Sequence, residues 1–362
     1  MLKSLWKPGG GLVRLDLNGH DNDHFFMQPQ ELLLTIKLFK GIVIVLLKKT
    51  DMVRFVYVVI WTLLLILTSC NAKNSYALEE RQMERIISNT GGDDVELPTM
   101  VQIKRNVAIR EYFDYIDSLV IRYDSLLPYP LSEHIIVRNN PWIIDTLANT
   151  DYYRMISRDS FVYDQRQLTV LPKGSKLHIP DSIKANQILG EFAKTEIDVN
   201  IPEFKLRIFQ DSVLLYTFPV RVGQNRERYL KFGDRITDLR TKTGIGTIID
   251  HVRHPEFYNP ANGRQFYVTK RDDGKTTIMP QIPWIETEIN GIRNGQMIHP
   301  TTNPETLGKA YSNGCIGTRE ADAWIIYYYS PIGTKLKIRY DLKTYEEGRV
   351  VALFKDIYGK NN

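Results

Sequence analysis

The sequence predicts an α+β protein in which a mainly antiparallel β-sandwich domain follows a smaller N-terminal helical or α+β domain. Three observations support this prediction. Residues 101–126 carry apolar side chains at helical spacing, and residues 197–223 alternate apolar and polar side chains as strands do. Further short strand patterns recur up to residue 340, which is typical of antiparallel strands that close as a sandwich.

Two helices are predicted in the N-terminal part, over 78–88 and 101–126. The second helix places a row of apolar residues on one face: Val107, Phe113, Ile116, Leu119 and Val120. A β-hairpin is predicted where two alternating runs, 204–209 and 213–223, flank a turn at Asp211 and Ser212. Further strands are predicted over 243–252, 265–269, 276–279 and 335–340, and a helix over 319–329.

The first of the two cysteines ends an apolar segment. Residues 61–70 read WTLLLILTSC, with Arg54 before them and polar residues after them. This pattern is typical of a secretory signal, and its last four residues resemble the lipobox of bacterial lipoproteins. The resemblance implies cleavage before Cys70, whose sulfur then carries a lipid that anchors the protein to a membrane. The alternative is an uncleaved anchor, although 53–67 is shorter than the roughly 20 residues that a spanning helix needs.

These signals divide the chain into five segments. Because a signal peptide belongs at an N-terminus, residues 1–51 are expected to be an upstream mis-translation or extension; if translated, 32–47 would form a further hydrophobic helix. The lipoprotein signal peptide covers 52–70. A helical linker and a small α+β domain cover 71–194. The strand-rich domain covers 195–342, and a C-terminal tail covers 343–362.

Charge and cysteine content limit the function classes. The formal net charge is +5 with both signs interspersed and no Lys/Arg-rich run, so we expect no nucleic-acid partner. Once Cys70 is lipidated, one thiol, Cys315, remains in an oxidising compartment. A single thiol has no partner for a structural disulfide, which favours a reactive role.

Residues 298–318 read IHPTTNPETLGKAYSNGCIGT and place His299 ahead of Cys315. A thiol is a nucleophile as its thiolate, so it needs a base or an electropositive environment nearby. Glycines beside the cysteine let a carbonyl group and backbone N–H donors approach the sulfur closely. The alternative is that Cys315 is a buried small apolar residue and His299 an ordinary loop histidine.

From 195 to 342 the order of these parts resembles the L,D-transpeptidase (YkuD-type) catalytic domain. The resemblance rests on 220–223 (VRVG), 241–246 (TKTGIG), His299 and 312–316 (SNGCI). It implies that Cys315 attacks a carbonyl of a peptidoglycan stem peptide, releases the terminal D-residue and forms an acyl-thioester. An amine of a neighbouring stem then resolves the thioester. His299 would take and return the proton.

The same resemblance implies roles for the residues around the nucleophile. Gly314 and the backbone N–H of Cys315 would shape the oxyanion hole. Ser312 would support the site geometry and Asn313 would hold a neighbouring dipole. Ile316 belongs to the same site-shaping group.

One position departs from the family's pattern. The family usually carries an arginine or asparagine two positions after the cysteine, where this chain has Gly317. Arg319 would supply the guanidinium for a substrate carboxylate, or it would be a solvated residue in the first turn of the next helix. Three functions therefore stay open: a crosslinking transpeptidase, a carboxypeptidase or amidase that passes the thioester to water, and a non-catalytic peptidoglycan-binding lipoprotein.

Aromatic residues suggest a substrate cleft. The segment 253–267 is expected to cover the cleft as a flap or to be an inert surface insertion, and its Tyr258 is a candidate substrate-binding residue. Trp284 is expected to be a platform for substrate or a core tryptophan. No cofactor is expected. His251 and His254 are spaced as zinc ligands can be, but no carboxylate at zinc-hydrolase spacing accompanies them, so we expect no metal.

Residues 171–180 (LPKGSKLHIP) weakly resemble the last strand of the LysM peptidoglycan-binding module. The alternative for 71–194 is a domain that only packs against its neighbour. The expected partners are peptidoglycan stem peptides and, through the lipid anchor, a membrane. The expected location is the periplasm, as an envelope lipoprotein.

Overall fold

A computed structural model of the chain describes residues 100–231, 233–346 and 348–360. The predicted helix over 78–88, the signal segment and Cys70 lie outside these residues. None of the helices in the described ranges combines the length and the apolar character that crossing a bilayer requires.

The N-terminal part of the described chain alternates short strands and helices. In chain order its elements are β1 (Met100–Gln102), β2 (Val107–Ala108), α1 (Ile109–Tyr123), a 3-10 turn (Asp124–Leu126), α2 (Glu133–Asn139), α3 (Trp142–Ala148), α4 (Tyr152–Ile156), a second 3-10 turn (Gln165–Gln167), β3 (Thr169–Leu171), β4 (Lys176–His178) and α5 (Ser182–Ala193).

Side-chain caps set the beginnings of several of these helices. Ser132 accepts the N–H of Ile135 at the start of α2, and Asp181 accepts the N–H of Lys184 at the start of α5. Such caps satisfy N–H groups that have no partner within the helix, and each typically stabilises a helix by about 1 kcal/mol.

The helix predicted over 101–126 is wrong at its start, because α1 begins at Ile109. Val107 fits the helical spacing but lies in β2, where it pairs with Leu171 of β3. The apolar face itself is confirmed, since Phe113 and Ile116 are buried on α1. A strand partner so far along the chain leaves no trace in local periodicity.

The remaining described chain is rich in strands and has one long helix. In chain order its elements are β5 (Thr195–Asn200), β6 (Lys205–Gln210), β7 (Val213–Pro219), β8 (Val222–Gly223), β9 (Glu227–Leu230), β10 (Arg235–Asp238), β11 (Gly244–Val252), β12 (Val268–Lys270), β13 (Thr276–Ile278), β14 (Trp284–Ile289), β15 (Met297–Pro300), a 3-10 turn (Pro304–Thr306), β16 (Ala310–Ser312), β17 (Ile316–Thr318), α6 (Glu320–Tyr329), β18 (Lys335–Arg339), β19 (Lys343–Glu346) and β20 (Arg349–Leu353).

Eight of these strands form one sheet in the order β17-β15-β14-β11-β18-β5-β6-β7. Neighbours in it are antiparallel except for β15 with β17 and β18 with β5, which run parallel. The predicted α+β class, with a mainly antiparallel strand-rich domain after N-terminal helices, is confirmed. The predicted hairpin is β6 and β7, and Asp211 and Ser212 at its turn both have positive φ, as two-residue hairpin turns favour.

Helix α6 is buried on nearly all sides, so its residues show no single apolar face. Trp324, Tyr327 and Tyr328 of α6 belong to one hydrophobic core that also contains residues of α1 and of the large sheet. The described residues accordingly form one compact unit. The boundary predicted at 194/195 stays a prediction, and the segments on either side of it share this core.

A buried ion pair fixes the start of α6. Glu320 is 1% exposed and accepts hydrogen bonds from the Arg271 guanidinium at 2.5 Å, the Gln165 amide at 2.7 Å and the Tyr152 N–H at 3.0 Å. Because these partners come from the N-terminal part and from the β12–β13 hairpin, the pair ties both to α6. Removal of one member of such a pair leaves an uncompensated charge in the core.

Two histidines stack between α2 and the large sheet. The rings of His134 and His251 lie 5.1 Å apart at an angle of 17°. Nε2 of His134 is 3.1 Å from the Tyr327 carbonyl oxygen, and Nε2 of His251 is 3.0 Å from that of Ser330. Burial lowers the pKa of His134 to about 3 and that of His251 to about 4. Both rings are therefore neutral in the folded protein at neutral pH.

Candidate active site

The parallel pairing of β15 and β17 brings the two predicted catalytic residues to one place. Ile298 pairs with Ile316 and His299 with Gly317, so Cys315, just before β17, lies beside Met297. Cys315 and His299 both line one cavity of about 520 Å³. His299 and Cys315 are separated in the chain but lie on, or directly before, neighbouring strands of the sheet, which brings them together.

The loop before Cys315 is held by its own polar atoms. Gly314 has φ 114°, a backbone conformation that side chains with a Cβ rarely adopt. The buried hydroxyl of Ser312 donates to the Cys315 carbonyl oxygen at 2.5 Å and accepts the Gly314 N–H at 3.2 Å. Ser312 therefore links Gly314 and Cys315 within the loop, and its predicted role in the site stays a prediction.

A second layer of hydrogen bonds supports this loop from behind. The Thr241 hydroxyl donates to the Gly314 carbonyl oxygen at 2.9 Å and accepts the Gly223 N–H at 2.8 Å. The Tyr358 hydroxyl donates to the Gly223 carbonyl oxygen at 2.8 Å and accepts the Thr241 N–H at 3.1 Å. Tyr358 is 4% exposed and belongs to the segment expected to be a tail, so the C-terminal residues contribute to the support of the nucleophile loop.

The Cys315 thiol is half-buried and unpaired. Burial raises its pKa above the ordinary value, whereas a hydrogen bond from the Met297 backbone N–H and the charge of Arg221 act to lower it. Burial is the largest of these effects. The resting group at neutral pH is therefore the thiol, and formation of the thiolate requires a base.

A hydrogen bond to the backbone sets the tautomer of the His299 ring. Its Nδ1 lies 2.9 Å from the Pro300 carbonyl oxygen, an acceptor, so we assign the ring proton to Nδ1 and the free lone pair to Nε2. Burial, and next the charge of Arg221, lower the pKa of His299 to about 4. The ring is thus neutral above that pH. Within the described residues no hydrogen bond joins it to the Cys315 sulfur.

Aromatic side chains form much of the cavity wall. Trp284 lies with its ring 4.8 Å from that of His299 and 5.6 Å from that of Phe257. Its half-buried position on the cavity wall is compatible with a platform for substrate. Tyr258 and Phe266, from the segment predicted as a flap, also line the cavity.

The other predicted site residues occupy different environments. Asn313 is exposed and lines the cavity, whereas Ile316 is fully buried in the core. Arg319 is exposed at the start of α6, its guanidinium lies 4.0 Å from the Asp322 carboxylate, and it is not among the residues that line the cavity. This position corresponds to the solvated first-turn alternative for Arg319.

One residue of the site was not identified from the sequence. Arg221, between β7 and β8, lines the cavity together with Cys315 and His299. Its backbone pairs with that of Gly317, and its side chain lies across that glycine. Its sequence signal, an arginine at the end of a strand, is weak, because the pairing with Gly317 arises only in the folded chain.

The two remaining histidines that were weighed as zinc ligands lie apart from the cavity. His251 stacks on His134, and the ring of exposed His254 contacts the Gln281 amide. Within the described ranges no group of three His, Cys, Asp or Glu side chains is arranged to hold a metal ion.

Comparison with known proteins identifies L,D-transpeptidases that are similar to this chain. Residues 194–338 match the family model of the YkuD L,D-transpeptidase catalytic domain. A probable L,D-transpeptidase of Escherichia coli K12, ErfK/SrfK, is 27% identical over 172 residues, which are 46% of this chain and 50% of the relative. The chain thus spans about half the length of that curated relative.

Solved structures of similar proteins include an L,D-transpeptidase from Mycobacterium smegmatis, with 16% identity, 40% of this chain and 58% of that chain covered, and a TM-score of 0.28. Another is the L,D-transpeptidase of Xylanimonas cellulosilytica, with 11% identity, 68% and 100% covered, and a TM-score of 0.30.

Proposed function

We propose that the protein is a cysteine acyltransferase that crosslinks peptidoglycan stem peptides, and that residues 194–338, which match the family model of the YkuD L,D-transpeptidase catalytic domain, are its catalytic domain. Cys315 is the nucleophile and His299 is the base. The observation that carries this proposal is that a free thiol and an imidazole with its Nε2 lone pair available line the same aromatic-walled cavity from adjacent parallel strands.

In the first half of the reaction, Nε2 of His299 takes the thiol proton as the Cys315 sulfur attacks a carbonyl carbon of the donor stem peptide. The carbonyl oxygen becomes an oxyanion, which the Cys315 backbone N–H stabilises, with Gly314 shaping the hole. When the tetrahedral intermediate collapses, the C–N bond breaks. His299 then returns its proton to the amine of the leaving D-residue, and the acyl group stays on sulfur as a thioester.

The second half repeats these steps with a new nucleophile. An amine of a neighbouring stem peptide attacks the thioester carbonyl and transfers a proton to His299. The C–S bond breaks, and the proton returns to the Cys315 sulfur. Because an amine and water can each play this part, the same site would hydrolyse the thioester if water reached it first.

The proposal extends to the environment of the enzyme. Cys70, outside the described residues, carries the lipid that anchors the protein in the cell envelope, and the periplasm is where Cys315 meets its substrate. Metabolic labelling with a palmitate analogue tests the anchor. We expect the wild-type protein to be labelled and the Cys70→Ala variant to be unlabelled; equal labelling would contradict the anchor without affecting the proposed reaction.

The reaction is tested with muropeptides and mass spectrometry. We expect crosslinked dimers from the wild-type protein, none from Cys315→Ser, and unchanged dimer formation from Arg319→Gln, an exposed arginine beside the site. Shortened monomers that depend on Cys315 would replace the transferase by a carboxypeptidase or amidase. Products that do not depend on Cys315, or no products from folded protein, would refute both enzymatic functions and favour the non-catalytic wall-binding lipoprotein.

A further inference from the structure

Arg221, which lines the cavity, is joined to Gly317 by two backbone hydrogen bonds. The Arg221 N–H donates to the Gly317 carbonyl oxygen at 2.9 Å, and the Gly317 N–H donates to the Arg221 carbonyl oxygen at 3.0 Å. These two bonds fix the backbone of Arg221 directly against β17, two residues after Cys315.

The Arg221 side chain occupies the space that a side chain at 317 would need. A Cβ added to Gly317 would lie 2.5 Å from Nε, 2.7 Å from Cγ and 3.0 Å from Cδ of Arg221. In this conformation the Arg221 side chain therefore leaves no room for a side chain at 317.

The guanidinium is held in this place with few hydrogen bonds. Nη1 lies 3.3 Å from the Thr306 hydroxyl, and in the described part of the chain the buried Nε has no hydrogen-bond partner. A buried donor without a partner lowers the stability of the folded protein. Hydrogen bonding therefore does not explain why the Arg221 guanidinium lies in this place.

The charges around Arg221 supply such an explanation. The ionisable groups that interact with Arg221 are Cys315, Tyr311 and Asp272. Its charge also acts to lower the pKa of His299. An arginine stays protonated even when burial lowers its pKa, so this part of the cavity carries a permanent positive charge. A positive charge favours the thiolate over the thiol and the neutral imidazole over the imidazolium.

We propose that Arg221 is a positioning residue whose guanidinium, seated on Gly317, stabilises the anionic sulfur of Cys315. The Arg221 side chain fills the space above Gly317 that a side chain at 317 would need. This inference rests on the proposed role of Cys315 as nucleophile. Its test uses alkylation of the sulfur and needs no wall substrate, so it can fail or succeed independently of the proposed transpeptidation.

The first test measures the rate at which iodoacetamide alkylates Cys315 as a function of pH, with the modified peptide quantified by mass spectrometry. In Arg221→Gln we expect the midpoint of the profile to rise by about one pH unit, which corresponds to roughly tenfold less thiolate near neutral pH. Arg221→Lys retains the charge and should stay close to the wild-type profile. Arg319→Gln is the matched control, since it removes an exposed arginine two residues after Gly317.

An unchanged profile in folded Arg221→Gln, or a shift caused by Arg319→Gln instead, would overturn the proposal. Circular dichroism and thermal melting establish that the variants are folded. A purely structural role for Arg221 predicts a lower melting temperature with an unmoved midpoint, so the two roles give different results.

The second test exchanges the two residues. Arg221→Ala frees the space above Gly317, and adding Gly317→Arg returns a guanidinium to it from β17. We expect the pH profile of Cys315 alkylation in the double variant to have the midpoint of the wild-type protein. Arg221→Ala alone should show a raised midpoint. A folded double variant that keeps the raised midpoint would refute the claim that the two positions share one guanidinium site.

Discussion

Replacement of His251 by glutamine should make the protein less sensitive to acid. In the folded protein the pKa of His251 is lowered from 6.5 to about 4, because burial disfavours the charged ring. The unfolded chain has no such restriction and binds a proton near the ordinary value. Between these two pH values the unfolded state holds more protons, so the free energy of unfolding falls as the pH drops below about 6.5.

The size of this effect follows from the two pKa values. At pH 5, protonation of the unfolded chain lowers the free energy of unfolding by about 2 kcal/mol for His251, while the folded ring remains almost entirely neutral. A glutamine does not titrate, yet its amide can still donate to the Ser330 carbonyl oxygen that now faces the ring. The variant should therefore lose about 2 kcal/mol less than the wild-type protein between pH 8 and pH 5.

Urea denaturation at the two pH values measures this difference. Comparing the change with pH, rather than the stability itself, removes any cost of the substitution that is common to both conditions. Exposed His178→Gln is the control, and we expect its loss of stability to follow that of the wild-type protein. If His251→Gln loses as much stability as the wild-type protein, the buried neutral histidine is not a source of the acid sensitivity.

Three further outcomes are expected. Gly223→Ala would place a Cβ 2.0 Å from the Leu239 carbonyl oxygen, so the backbone must shift; we expect a loss of about 1–3 kcal/mol in urea denaturation and slower alkylation of Cys315. Glu320→Gln leaves the Arg271 guanidinium without a buried counter-charge, which should cost about 3–5 kcal/mol by the same assay. Muropeptide turnover should decline as the pH falls toward about 4, because protonation of His299 removes the base.

Each of the two substitutions has a matched control. Gly190→Ala, in α5 with open space around its Cα, should not reduce stability. Lys194→Met breaks an exposed ion pair with Asp211 and should cost less than about 1 kcal/mol. If either control loses as much stability as its test variant, the packing or the burial of charge is not the cause. Turnover that is maintained near pH 4 would contradict His299 as the base.

Local sequence patterns predicted much of the fold. The hairpin of β6 and β7 followed from alternating residues around Asp211 and Ser212, because both signals are contained in neighbouring residues. The start of α1 was predicted wrongly because Val107 pairs with Leu171, which is far away in the sequence. The parallel pairing of β15 with β17 has the same origin and was not predicted.

Some residues of the candidate site could be identified from the sequence, and others only from the fold. Cys315 and His299 stand out because few residue types can act as nucleophile or base. Arg221 does not stand out, since an arginine on a strand is usually a surface residue. Only the fold shows that its side chain fills the space above Gly317. The assignments for Cys70, the wall-binding segment and the domain boundaries stay predictions.

The hydrogen bonds of Tyr358 have a practical consequence for work on the isolated enzyme. The match to the family ends at residue 338, which makes that position an obvious end for a recombinant fragment. Such a fragment would lack the phenol that bridges Gly223 and Thr241, and the Gly314 carbonyl would lose part of its backing. Weak turnover by a shortened protein would then report a loosened loop and not an unreactive thiol.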